Sequence, residues 1–152
     1  MNTITVRAAL PGDMEALLSL RREMLAQVNG IPQDGLSDEF MRLTEDFFGN
    51  GDQTTVLAFC GEKPAGCATI CWLYVMPTYS HPTGKRAHIM NVYTREEFRR
   101  MGAARSMMTA LLEEAKRRGA TSITLDATDS GRPLYEAMGF HGSREHMEFI
   151  SD

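Results

Sequence analysis

The stretch Phe98–Met108, "FRRMGAARSMM", decides how the chain around it is read. A strand-like run, "AHIMNVYT" (Ala87–Thr94), leads into it. Met107, Met108, Leu111, Leu112 and Ala115 lead out of it as the apolar stripe of a long helix, which Gly119 stops. A strand that feeds a helix through a glycine-bearing turn leaves the first helical N–H groups without partners, at the positive end of the helix dipole. That geometry binds phosphates. Gly102 would allow a positive φ or the close approach of an anion, and Ala103 and Ala104 are small enough to keep the helix start near the sheet. Arg99, Arg100 and Arg105 can add charge-assisted contacts. Taken alone, the same residues also describe an ordinary helix start with a solvated basic face. Neither G-x-x-x-x-G-K-[ST] nor G-x-G-x-x-G occurs, so a common nucleotide loop is not the explanation.

Toward the N-terminus, Ile4 and Val6 alternate with polar residues as a short strand. Asp13 can cap a helix carrying Leu17, Leu18, Leu20, Met24, Leu25 and Val28, ended by Gly30 and Pro32. Ser37 or Asp38 can cap a second helix, with Phe40, Met41, Leu43, Phe47 and Phe48 opposite Asp38, Glu39, Glu45 and Asp46. Thr54–Cys60 and Gly66–Val75 read as antiparallel strands joined through "GEKPAG" by a connection longer than two residues, and "MPTYSHPTGKR" reads as a loop. Glu113 with Arg117 and Glu114 with Arg118 support the long helix as i,i+4 pairs. Beyond it, Ser122–Asp126 is a short strand, Pro133–Met138 a short helix, and Phe140–Ile150 supplies closing strand material. The order β α α β β β α β α β predicts an α/β or α+β domain around a central mixed sheet.

The 152 residues, 43% of them hydrophobic, suit a single domain over 1–152. With 16 basic and 20 acidic residues, the net charge of -4 argues against a nucleic-acid partner. The N-terminus lacks the pattern of a signal peptide and no apolar run approaches the roughly 18 residues of a membrane span, so no membrane association is expected and the location read is cytoplasmic. Cys60, Cys67 and Cys71 lie in apolar runs without metal-ligand spacing, which reads as reduced core residues and no metal site.

"RRMGAA" resembles the R/Q-x-x-G-x-G/A motif of the GNAT acetyltransferase superfamily, with Arg99, Gly102 and Ala104 at its defining positions. "LYEAMGF" (Leu134–Phe140) is similar to that superfamily's second signature, at a separation that fits one helix, one strand and a turn. The resemblance implies a GNAT-like, mostly antiparallel mixed sheet flanked by helices, in which a parallel strand pair splays apart at the coenzyme site. It implies acetyl-CoA as co-substrate, its pyrophosphate on the backbone amides of Arg99, Arg100, Met101, Gly102, Ala103 and Ala104, with Arg105 beside them among the cofactor-binding residues. Val92, Tyr93 and Thr94 would flank the pantetheine arm, and the Val92 amide would stabilise the oxyanion of a tetrahedral intermediate. Asn91 could assist there or simply relieve a strand bulge. Tyr135 would protonate the leaving thiolate, a phenol of pKa ~10 against a thiol of pKa ~8.5. His88 falls where some members carry a glutamate base, and Thr128 replaces an asparagine that often contacts the pantetheine arm.

The acceptor pocket is expected between the second helix, the Met76–Arg86 loop and the strand from Ala87, with Tyr74, Tyr79, His81 and His88 as an aromatic rim. Carboxylates nearby suit a cationic primary amine, small molecule or peptide, although the same acids serve equally as a solvated helix face. The alternative to an N-acetyltransferase is a non-catalytic acyl-CoA sensor or interaction module on the same fold. A redox or metal protein built on the cysteines is the third reading. The sequence leaves a homodimer open.

Overall fold

The computed structural model describes residues 3–151. Five strands, β1 (Ile4–Ala8), β2 (Gln53–Cys60), β3 (Lys63–Tyr74), β4 (Lys85–Thr94) and β5 (Ser122–Leu125), form one sheet in the order β1-β2-β3-β4-β5. All neighbours pair antiparallel except β4 and β5, which are parallel. Helix α1 (Met14–Asn29) covers one face through Leu17 and Leu20, which meet Leu57 and Cys67. Helix α3 (Ala103–Arg117) covers the other through Met107, Met108, Leu111 and Ala115, against Ala58, Ile70, Trp72, Ala87 and Ile89. A sheet buried on both faces explains why β2 and β3 read as continuous apolar runs rather than alternating ones. Helix α2 (Asp38–Asn50) starts where Ser37 Oγ accepts the Phe40 N–H at 3.0 Å, and helix α4 (Arg132–Ala137) follows β5.

Several local expectations change. Asp13 precedes α1 but gives its carboxylate to the Leu10 N–H (2.7 Å) and to both terminal nitrogens of Arg7 (2.7 and 3.0 Å), not to the helix. The β2–β3 turn is shorter than expected: Cys60 pairs with Lys63, Gly61 turns at φ +63°, and a bulge opposite Ala58 and Phe59 leaves Ala65 as the extra residue between Pro64 and Gly66. Glu114 takes both Arg117 and Arg118, so the Glu113 pair does not form among the described residues. The largest correction lies at the C-terminal end. No strand forms between Phe140 and Ser151; Phe140 packs on the core, and the segment beyond it runs exposed without a ladder partner.

Candidate functional site

The site is built where β4 leaves β5. Their pairing covers Arg86 to Ile89 against Ser122 to Leu125 and stops there, while β4 continues to Thr94. At the point of departure β4 carries a bulge: Met90 pairs with Thr69 and Tyr93 with Cys67, so Asn91 and Val92 together face one β3 residue. Asn91 sits at φ +61°, a left-handed conformation that asparagine tolerates better than most residues. Its side chain is held by Arg21 Nη1, which donates to Oδ1 at 3.0 Å, and by its own amide, which donates to Thr69 Oγ1 at 3.4 Å. The Arg95 N–H donates to the Ala65 carbonyl on β3 at 2.8 Å. Alternation along an antiparallel strand then turns the amides of Val92 and Thr94 away from β3, toward the side that β5 has vacated. The Thr94 hydroxyl is buried without a hydrogen-bond partner among the described residues.

Below the cleft, the chain from Arg99 to Gly102 alternates extended and left-handed residues: Arg99 at φ -71°, Arg100 at +65° and Gly102 at +82°. Left-handed residues bring successive N–H groups into a concave array. Gly102 caps α3 with no side chain bonded to the first turn, and a Cβ placed on it would meet nothing within 4 Å. The Arg99 side chain does not point along this array. Its guanidinium donates to the Thr94 carbonyl (3.0 Å) and to Gln27 (3.3 Å), tying the loop to β4 and α1.

His88 lies on the paired part of β4, its Nδ1 2.7 Å from Thr124 Oγ1 and its Nε2 3.7 Å from Asp126 Oδ2. Tyr135 stands on α4 in an edge-to-face contact with Phe140 (6.1 Å, 67°) and packs on the same core cluster as Val92. Burial raises its phenol above the ordinary value, so it is protonated at neutral pH. Thr128 is occupied locally, accepting the Gly131 N–H at 3.2 Å. The Met76–Arg86 loop does not join the cleft. Its residues reach the far end of α3, His81 to Thr121 (3.2 Å) and Lys85 Nζ to the Arg118 carbonyl (2.8 Å), and Tyr79 is fully exposed.

A parallel strand pair that splays at a bulge, followed by a turn of left-handed residues into a helix, is the frame in which the comparisons fall. Residues 18–140 match the profile of the acetyltransferase (GNAT) family. The chain belongs to that family. It is an acetyl-CoA-dependent N-acetyltransferase in its fold and motifs. It is similar to the thialysine N-epsilon-acetyltransferase of Sus scrofa, 26% identical over all of this chain and 98% of that one. It is also similar to the same enzyme of Caenorhabditis elegans, 32% identical over 55% of this chain and about half (51%) of that protein. Among solved structures, a predicted acetyltransferase with acetyl-CoA from Clostridium acetobutylicum superposes with a TM-score of 0.84 at 29% identity, over 97% of this chain and 96% of that one.

The residues present fit the coenzyme: β4 has no β5 partner beyond Ile89, the Thr94 hydroxyl is buried without a hydrogen-bond partner, and a Cβ on Gly102 would meet nothing within 4 Å. Among the described residues no cluster of three or more His, Cys, Asp or Glu is placed to hold a metal, and no helix is long and apolar enough to cross a membrane. Sequence reasoning missed the groups that fix the cleft. Glu23 on α1 holds Arg95 at the end of β4 (2.7 Å), Arg21 holds Asn91, and Thr124 with Asp126 flank His88. Their partners are tens of residues apart in the chain, so no local pattern reveals them. The cysteines are free thiols; Cys67 is buried, whereas Cys60 and Cys71 are half-buried.

Proposed function

We propose that this acetyltransferase acts as one catalytic domain that transfers the acetyl group of acetyl-CoA to a primary amine by direct attack. The observation that carries the proposal is the β4 bulge at Asn91–Val92 beside the unpaired β4 edge. An amide aimed into that cleft can hold the carbonyl oxygen of the thioester as it becomes an oxyanion. Loss of one such donor commonly costs about 3–4 kcal/mol of transition-state stabilisation. The amides from Arg100 to Arg105, the Thr94 hydroxyl and the Tyr93 backbone are the coenzyme contacts; the Arg99 N–H already donates to the Glu96 carbonyl at 3.2 Å, and Thr128 is at most a weak contact because its hydroxyl already serves Gly131.

The amine must lose a proton to bond with the acetyl carbon, and the sulfur must gain one as its bond to that carbon breaks. His88 takes the first proton, oriented by Thr124 and Asp126. Tyr135 gives the second, its hydroxyl free of hydrogen bonds among the described residues. The acceptor is an amine of the thialysine type, a terminal amine on a lysine-like chain. Such an acceptor also carries an α-amine and a carboxylate, and a groove of about 570 Å³ between α1 and α2 offers both signs of charge: Arg22 and Arg42 with Asp34, Asp38 and Glu45. His88→Gln tests the base. It should lower kcat/KM for a primary amine at least tenfold at neutral pH while leaving acetyl-CoA affinity unchanged. Unchanged turnover would remove His88 from the chemistry.

A further inference from the structure

The Val92 N–H and the Asn91 carbonyl belong to one planar peptide unit. No peptide bond among the described residues is cis, so this N–H and this carbonyl point in opposite directions. Whatever holds the Asn91 oxygen therefore aims the Val92 amide. At a bulge the ladder is locally disrupted, so side chains must supply that hold. The fully buried Cys67 thiol on β3 donates to the Asn91 carbonyl at 3.5 Å. The Asn91 side chain is gripped as well: Nδ2 donates to the Cys67 sulfur at 3.6 Å, and Oδ1 accepts from Arg21 Nη1 at 3.0 Å. A thiol is a weak donor, but among buried groups no water competes with it. Burial also pushes this thiol up to about 12, so it keeps the proton that it donates. Four residues on, Arg95 is tied to Glu23 of α1 (2.7 Å) and to the Pro64 carbonyl (2.9 Å), which anchors the other end of the segment.

We propose that Cys67 and Arg21 are positioning residues for acetyl transfer, locking the Asn91–Val92 peptide in the orientation that presents the Val92 N–H to the thioester carbonyl. The proposal rests on the reading of Val92 as the oxyanion donor. Both side chains act through Asn91. Their loss lets the peptide turn its N–H away from the cleft, which weakens the transition state and leaves the coenzyme contacts of the turn before α3 in place.

The test uses Cys67→Ala, which removes the donor, Cys67→Ser, which restores one, and Arg21→Met, which keeps the stem and removes the guanidinium. Two quantities are read: turnover of a primary amine, and the carbonyl stretch of acetyl-CoA labelled with ¹³C at the thioester carbon, taken by isotope-edited infrared in the binary complex. The band reports the oxyanion contact with no acceptor present. In the parent it should lie below its position in free solution. Cys67→Ala and Arg21→Met should lower kcat about tenfold or more, keep acetyl-CoA affinity within about twofold, and return the band toward its solution position. Cys67→Ser should recover most of the loss. Circular dichroism establishes that each variant is folded, and Arg21→Met decides alone should Cys67→Ala fail to fold. A parent-like kcat and band in the variants would overturn the proposal, as would a loss that serine does not relieve, which marks packing instead of a donor. An unshifted band in the parent would overturn the Val92 reading beneath it, which separates the two failures.

Discussion

Gly102 and Gly119 stand at the two ends of α3 with nearly the same backbone, φ +82° and +80°, and a Cβ on either would meet nothing within 4 Å. Alanine at either position therefore carries the same local penalty, the cost of a non-glycine residue in left-handed conformation, about 1–2 kcal/mol. For a domain near this size that corresponds to a fall in Tm of about 2–4 °C per kcal/mol. The two variants should lose similar stability without coenzyme. They should differ in binding, because the proposed pyrophosphate site is at Gly102 and not at Gly119. Gly102→Ala should weaken acetyl-CoA at least tenfold and Gly102→Glu abolish binding, whereas Gly119→Ala should bind as the parent does. Calorimetric titration with acetyl-CoA, beside thermal melts, reads both quantities. Equal affinity in the two alanine variants, at equal loss of stability, would refute the placement of the coenzyme over Gly102.

Other outcomes follow from titration and reactivity. Hydrogen bonds from Arg7, and then the Leu10 N–H, hold the Asp13 carboxyl down at about 2. A depressed carboxyl contributes stability above its unfolded value of about 3.9 and loses it as pH falls through the folded value. Melts of the parent should therefore drop more steeply between about pH 4 and pH 2 than those of Asp13→Asn; parallel curves would contradict it. Burial pushes the Cys67 thiol up to about 12, so at pH 8 it should react with a disulfide reagent only after unfolding, while Cys60 and Cys71 react in the native state. Rapid native labelling of Cys67 would revive a redox role for the cysteines.

What was legible in the sequence was what is local. The turn and first residues of α3, the core stripe Met107 to Ala115 and the Ser37 cap each depend on neighbours within a few positions, and each stands as read. The splay of β4 from β5 came through family resemblance; its cause, Asn91 at positive φ braced by Arg21 from α1, depends on a contact across 70 residues. His88 was legible as a residue type, but Thr124 and Asp126 become its neighbours only when the parallel pair forms. The aromatic rim failed for the opposite reason. Tyr79 and His81 are close to His88 in sequence, yet the strand carries them to the far end of the sheet, where Thr121 and α3 hold the loop. Alternation in Phe140–Ile150 is a strand signal, but a strand exists only where a ladder accepts it, and among the described residues none does.

The cleft between β4 and β5 is proposed to transfer acetyl groups to amines with Tyr135 as the acid. Its most direct measurement is thiol release from acetyl-CoA over a panel of primary amines that includes thialysine and lysine, compared between the parent chain and Tyr135→Phe. Phenylalanine keeps the ring against Phe140 and removes only the hydroxyl. Release by the parent should depend on the amine and should fall by about 10² or more in the variant, with acetyl-CoA affinity preserved. Coenzyme binding without release for any amine, or equal turnover by the two proteins, would contradict it.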